Sequence, residues 1–311
     1  MSLKDYIGKL TRLRTARSGP HERPHKPAFL LAIMSMVETG RLDDNRITYD
    51  PDLYALFKKY FEAVQAGDDS VNMRDPFWRL STDGLIEHRP NAGFEGVVDA
   101  FTSPPTVKKW RELSSHSSLT PDFYTLLQDP DARGRLRQAI IERYFADKAA
   151  EINNIVREEQ GIGAYERVLE EMSGTSESTP SAPTDEIRSQ AFRRVVLRAY
   201  DYRCAACGLR VILDDLVLAE AAHLIPYATS HDDDPRNGMT LCKNHHWAMD
   251  RHLIAPTTGL AWRISACLDD RIEGQKDLID LDGRSVILPK QPRYQPKAES
   301  LQWREDRLAQ A

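Results

Sequence analysis

Two short ligand pairs constrain this chain more than any other feature. Cys204-Ala205-Ala206-Cys207 offers one, and Cys242-Lys243-Asn244-His245 offers the second. Tetrahedral zinc takes Cys and His ligands, often in pairs with two residues between them. A single ion served by both pairs obliges the intervening chain to run out and return. Cys204, Cys207, Cys242 and His245 are therefore expected to hold a structural Zn2+. Cys267 lies outside the pattern and is expected as a packed thiol. Three of the 4 cysteines in metal-ligand spacing fit a reducing compartment better than a disulfide scaffold.

The returning chain carries a second chemistry. Ala222-His223-Leu224-Ile225-Pro226, then Asn237-Gly238, then Leu241-Cys242-Lys243-Asn244-His245-His246 follow in that order. Cutting a phosphodiester needs a base to activate water and a cation for the charge on the phosphorane and the leaving 3′-oxygen. A neutral histidine suits the first task near pH 7. His223 is expected at the end of a strand over 217–225, stopped by Pro226, where it can project into a cleft. Asn237 is expected in a facing loop over 227–240, with an amide that can bond backbone groups and fix that loop. His246 and Asp250 are four residues apart on a helix expected over 245–253, so they share a face. A His and a carboxylate on one face make a half-shell for Mg2+, Mn2+ or a similar ion.

A chain of 311 residues has room for roughly two domains. Residues 173–185 contain no large apolar side chain and read as a flexible linker. Before it, Pro27 opens a helix whose apolar residues run from Phe29 to Val37, with Gly40 as the stop. Leu53 to Val64 repeats the pattern. Pro76-Phe77-Trp78-Arg79-Leu80 and Thr82 to Ile86 read as strand, turn, strand. Residues 107–172 are expected to be mostly helical. After the linker, 187–199 suits an amphipathic helix. No apolar run approaches the ~20 residues that a membrane helix needs, and Met1 to Tyr6 lacks a signal-peptide pattern. The expected location is the cytoplasm, with no membrane contact. The net charge of −5 argues against a blanket nucleic-acid binder. Basic residues nevertheless cluster between Lys4 and Lys26 and between Arg188 and Arg210, and local patches suffice for phosphate contacts.

Over residues 200–255 the chain resembles the HNH family of nucleases, on Cys-x-x-Cys, Ala-His-Leu-Ile-Pro, Asn-Gly and Leu-Cys-x-x-His-His in family order. The resemblance implies a β-hairpin and helix gripping one metal. His223 would be the general base, Asn237 the residue that orients the loop, and His246 a ligand of the catalytic ion. Many members have an acidic metal ligand immediately before the base, where this chain has Ala222. Asp250 is the expected replacement, with Glu220 behind it. Over perhaps residues 5–110, Arg23-Pro24-His25-Lys26-Pro27 together with Pro76-Phe77-Trp78-Arg79-Leu80 and Asp83-Gly84-Leu85 resembles the sulfur-binding domain of phosphorothioate-dependent restriction endonucleases. That resemblance implies DNA contacts from Arg23, His25, Lys26, Pro76, Trp78 and Arg79, with the Pro76 ring facing the sulfur. Asp75 stands where that family usually has Tyr.

The expected architecture is α+β. A helix-rich DNA-recognition domain with a small β-hairpin (1–110) precedes a helical connector suited to dimerisation (111–172), the linker, and a zinc-stabilised ββα-metal nuclease domain (186–311). The expected protein is a homodimeric, metal-dependent endonuclease acting on double-stranded DNA. Two other readings stay open: a non-catalytic zinc-bearing DNA sensor, and a nuclease delivered by protein partners.

Overall fold

The computed structural model describes residues 1–18, 21–98, 100–173 and 184–309. Most of the expected linker, residues 174–183, lies outside the described residues. The chain divides into two compact units, Met1–Gln160 and Gly161–Ala311. Each has its own apolar core. Among the described residues, no helix is long and apolar enough to cross a membrane.

The first unit runs α1 (Leu3–Leu10), β1 (Arg17–Ser18), β2 (His21–Glu22), α2 (His25–Glu38), α3 (Pro51–Val64), α4 (Arg74–Arg79), β3 (Ile86–Pro90), α5 (Val107–Leu113), β4 (Ser114–Leu119), α6 (Pro121–Gln128) and α7 (Pro130–Tyr144). It ends in the first part of α8 (Ala149–Met172). Prolines open α3, α6 and α7, where a missing N–H costs nothing. Asp50 and Asp129 cap α3 and α7 by accepting from first-turn amides. Every residue of α2 from Lys26 to Val37 is buried. A helix that is apolar all round must be enclosed, and α3, α4, α6 and α7 all pack on it.

The strand-turn-strand expected over Pro76–Ile86 is not formed. Pro76-Phe77-Trp78-Arg79 lies in α4 instead. Asp75 and Pro76 occupy its first turn, where proline's fixed φ already suits a helix. Besides the short β1–β2 pair, β3 pairs with β4, antiparallel, from Ile86↔Leu119 to Pro90↔Ser114. β4 interrupts the region expected to be mostly helical. Its sequence, Ser-Ser-His-Ser-Ser-Leu, has no β-branched residue to announce a strand, and its pairing with β3 makes it one.

The second unit contains the rest of α8, then α9 (Asp185–Ala199), β5 (Ile212–Leu213), β6 (Leu216–Val217), β7 (Ala219–His223), α10 (Tyr227–Ser230), β8 (Gly238–Cys242), α11 (Lys243–Asp250), β9 (Ile254–Pro256), β10 (Trp262–Ile264), α12 (Lys276–Ile279) and α13 (Ala298–Glu305). β7 and β8 pair antiparallel, from Ala219↔Cys242 to His223↔Gly238. Both α9 and α11 pack on this hairpin. The segment expected as loop over 227–240 is more ordered than that. It holds α10, a 3-10 turn at Pro235–Asn237, and the start of β8.

Candidate functional site

The four expected zinc ligands converge. One ligand atom from each of Cys204, Cys207, Cys242 and His245 lies within 4.8 Å of all the others. His245 Nδ1 is 3.0 Å from Cys242 Sγ and 3.4 Å from Cys204 Sγ. A tight turn presents the first pair. Gly208 N–H donates to Cys204 O, and the positive φ of Gly208 (+74°) suits a residue without Cβ. A hydrogen bond from Cys242 draws the Cys204 thiol well below its ordinary range. Three sulfurs and one imidazole nitrogen in a mostly buried cluster suit a borderline-soft, four-coordinate ion. Cys267 is exposed, not packed.

His223 ends β7 at its pairing with Gly238. Its ring stacks on Phe192 of α9, with centroids 3.8 Å apart and planes 5° from parallel. Nε2 lies 3.0 Å from Asp233 Oδ1. Asn237 is fully buried. Its Oδ1 accepts from Ile225 N–H at 2.9 Å, and its Nδ2 donates to Ile225 O and Asp232 O, each at 3.0 Å. The side chain thus ties the loop after β7 to the chain entering β8, with almost every polar site used.

His246 stands between two carboxylates. Its Nδ1 is 2.9 Å from Glu220 Oε2, and its Nε2 is 3.4 Å from Asp250 Oδ2. The two acids therefore address opposite ring nitrogens. Asp250 also accepts from Arg304 at 3.2 Å. Arg304, on α13 and 2% exposed, further donates to Met249 O and His223 O. It fastens the end of α11 to the end of β7. Ala222 is fully buried and offers no ligand.

Sequence reasoning missed Asp233, Phe192 and the role of Arg304. Three aspartates in a row, 232–234, gave no sign of which one would meet His223. Arg188 was visible only as part of a basic cluster. That cluster proves largely committed to ion pairs: Arg188 with Asp233, Arg198 with Glu166 and Glu170, Arg210 with Asp201.

In the first unit, Arg23, His25, Lys26, Pro76 and Arg79 line one cavity of about 470 Å3 with Arg14, Asp68 and Asp75. Trp78 is absent from it. It is 7% exposed, stacked on His88 at 4.7 Å and set edge-on to Trp110, so it belongs to the core. The helical turn that replaces the expected strand carries Asp75, Pro76 and Arg79 to the cavity and sends Phe77 and Trp78 inward. The cations here hold internal partners. Arg23 meets Asp68 and Asp69 at 3.0 and 2.7 Å, Lys26 meets Asp83, and Arg79 meets Asp75 at 3.2 Å.

Residues 3–156 match the family model of the ScoMcrA-like DNA sulfur-binding domain, and residues 204–255 match that of the HNH endonuclease. The comparison with curated proteins returned no match. Among solved structures, the type IV phosphorothioation-dependent restriction endonuclease ScoMcrA aligns over 98% of this chain and 99% of its own, at 13% identity and TM-score 0.36. The sulfur-binding domain of ScoMcrA, complexed with phosphorothioated DNA, aligns over 48% of this chain and 97% of its own, at 21% identity and TM-score 0.35. The modification-dependent TagI restriction endonuclease is 21% identical at TM-score 0.29, and the alignment takes in 40% of this chain but only 39% of TagI.

Proposed function

We propose that this chain, which joins a ScoMcrA-like DNA sulfur-binding domain to an HNH endonuclease domain, is a metal-dependent restriction endonuclease that hydrolyses phosphodiester bonds in modified DNA. One observation supports this reading: His223 at the end of β7, Asn237 in the turn before β8 and His246 on α11 are carried by one hairpin and the helix packed on it, with Cys242 and His245 of the four clustered Cys and His side chains on the same elements. His223 is the base that takes the proton of the attacking water. Asn237 freezes the loop that follows it. His246 Nε2 and Asp250 are the residues that would hold a Mg2+ or Mn2+ ion. Such an ion, when bound, stabilises the charge that develops on phosphate and leaving oxygen. Glu220 then acts behind His246, accepting from Nδ1 so that Nε2 is the nitrogen left for the metal. Zn2+ at Cys204, Cys207, Cys242 and His245 is structural.

The cavity of the first unit is the proposed reader of the modification. Pro76 supplies an apolar face, and Arg23, Lys26 and Arg79 supply cations for the backbone. Double-strand cutting favours a homodimer, with the helices of 111–172 as its interface. The test is a cleavage screen of matched DNAs, unmodified, phosphorothioated, methylated and hydroxymethylated, in Mg2+ or Mn2+. Wild type is expected to cut one class, and His223→Ala is expected to lose at least about 10²-fold in rate. Equal cutting by both proteins would reject the assignment. The buried, ligand-free Ala222 favours a second reading, a DNA-binding sensor without catalysis. It predicts binding to the same DNA class with no divalent-ion-dependent nicking.

A further inference from the structure

The roles just assigned leave Asp233 without a task. It lies 1% exposed in the chain between α10 and β8. Arg188 Nη1 donates to both its oxygens, at 2.9 and 3.1 Å. A carboxylate so deeply buried stays charged only when paired, and Arg188 supplies the pair. An ionised carboxylate only accepts hydrogen bonds. At 3.0 Å from Asp233 Oδ1, His223 Nε2 must therefore carry the ring proton. Nδ1 is then left with its lone pair. The stack on Phe192 holds the ring plane, and Arg188 is itself seated 3.6 Å over the Tyr227 ring.

We propose that Asp233 is the positioning residue of the nuclease site: it fixes His223 in the Nε2–H form, so that Nδ1 takes the proton, while Arg188 tempers its charge. The proposal rests on the reading of His223 as the base. In the step it describes, a water O–H bond breaks and its proton goes to Nδ1. The water oxygen forms a bond to phosphorus, and the bond from phosphorus to the leaving 3′-oxygen breaks with its electron pair staying on that oxygen, which solvent water protonates. The imidazolium so formed keeps its Nε2–H on Asp233. Other groups bear on this pair, and Asp185 of α9 also meets Arg188, at 3.4 Å. Arg188 and Phe192 come from α9 and Tyr227 from α10. Tyr165 of α8 has its phenol pushed up by burial and by the charge of Asp233, so it stays neutral. Arg304 donates to the His223 carbonyl.

The test uses the full chain as wild type, Asp233→Asn, Arg188→Gln and His223→Ala, each checked for an unchanged fold by circular dichroism. Nitrogen-15 NMR of the histidine rings is expected to place the His223 proton on Nε2 in wild type, with Asp233→Asn mixing the two tautomers. Asp233→Asn is expected to lose about 10²-fold in kcat with KM unchanged. Arg188→Gln leaves the charge of Asp233 unopposed and favours the imidazolium. Its pH–rate profile is therefore expected to move its acid limb to higher pH, even if the Asn variant misfolds. A wild-type ring protonated on Nδ1 overturns the proposal. So does an Asp233→Asn enzyme with the wild-type rate while His223→Ala is dead, and in that case the nuclease reading survives. Failure of wild type to cut any DNA removes both.

Discussion

A methyl group at position 238 would stand 2.6 Å from Val196 Cγ2 and 2.8 Å from Phe192 Cζ. The backbone there is ordinary extended chain, with φ −122°. Glycine is needed because β8 lies directly on α9. Gly238→Ala should cost about 1–3 kcal/mol through overpacking, and it should push the very ring on which His223 stacks. The expected result is a lower melting temperature together with a loss of turnover. Gly134→Ala is the matched control. It sits exposed within α7 with nothing within 4 Å of its added methyl, so it should gain about 0.5–1 kcal/mol of stability. If Gly238→Ala melts lower but cuts at the wild-type rate, the link from Phe192 to His223 is wrong. At this scale His223, Asn237 and His246 stood out in the sequence, because the chemistry proposed for them depends on residue type and order. The sequence left Asp233 hidden because the three neighbouring aspartates differ only in where the turn aims them. Asp232 meets Lys297, Asp233 meets His223, and Asp234 caps the 3-10 turn and meets Arg236.

Elements were legible where one pattern decided the outcome. The continuous apolar run of α2 and the spacing in α3 predict helices whichever neighbours they find. α4 was misread because Pro-Phe-Trp carries strand-forming aromatics, whereas Pro76 suits a first helical turn and the helix buries Phe77 and Trp78 side by side. β4 was missed because serines take their conformation from β3. The packing of α2 against α7 yields a test of charge at this scale. Glu38, near the end of α2, accepts from Arg137 at 2.6 Å and from Gln160 at 3.0 Å, with Arg133 also beside it. Burial pushes the Glu38 carboxyl up, but the Arg137 and Arg133 guanidiniums outweigh it and hold the group below its ordinary value. A pKa lower in the folded than in the unfolded chain stabilises the fold above the unfolded value, and that stability is lost as pH falls through the folded value. Glu38→Gln should therefore unfold about 1–3 kcal/mol more easily at pH 7. The gap should close as pH drops below the ordinary Glu range, where the parent is protonated too. A gap that stays constant with pH would mean that lost packing, not charge, sets the cost.

At the scale of the whole molecule, the two units differ in what holds them together. The Met1–Gln160 core is built from long apolar helices around α2 and includes no cysteine. The Gly161–Ala311 core includes Cys204 and Cys242 themselves, and its strands are five residues or fewer. Hairpins this short are marginal on their own, and a structural zinc can contribute on the order of 10 kcal/mol to a small domain. Calorimetry should therefore resolve two transitions, of which a strong chelator lowers only one. Cys242→Ser should lower the same one. Restoring the chelated protein with Mg2+ alone should recover neither that transition nor cleavage, because a hard cation does not satisfy three thiolates. Zn2+ followed by Mg2+ should recover both. If chelation stops cleavage without moving any transition, the metal that matters is the one at His246 and Asp250, and the cysteine cluster contributes little to stability. If both transitions fall together, the two units do not unfold independently, and the division at Gln160 is one of packing alone.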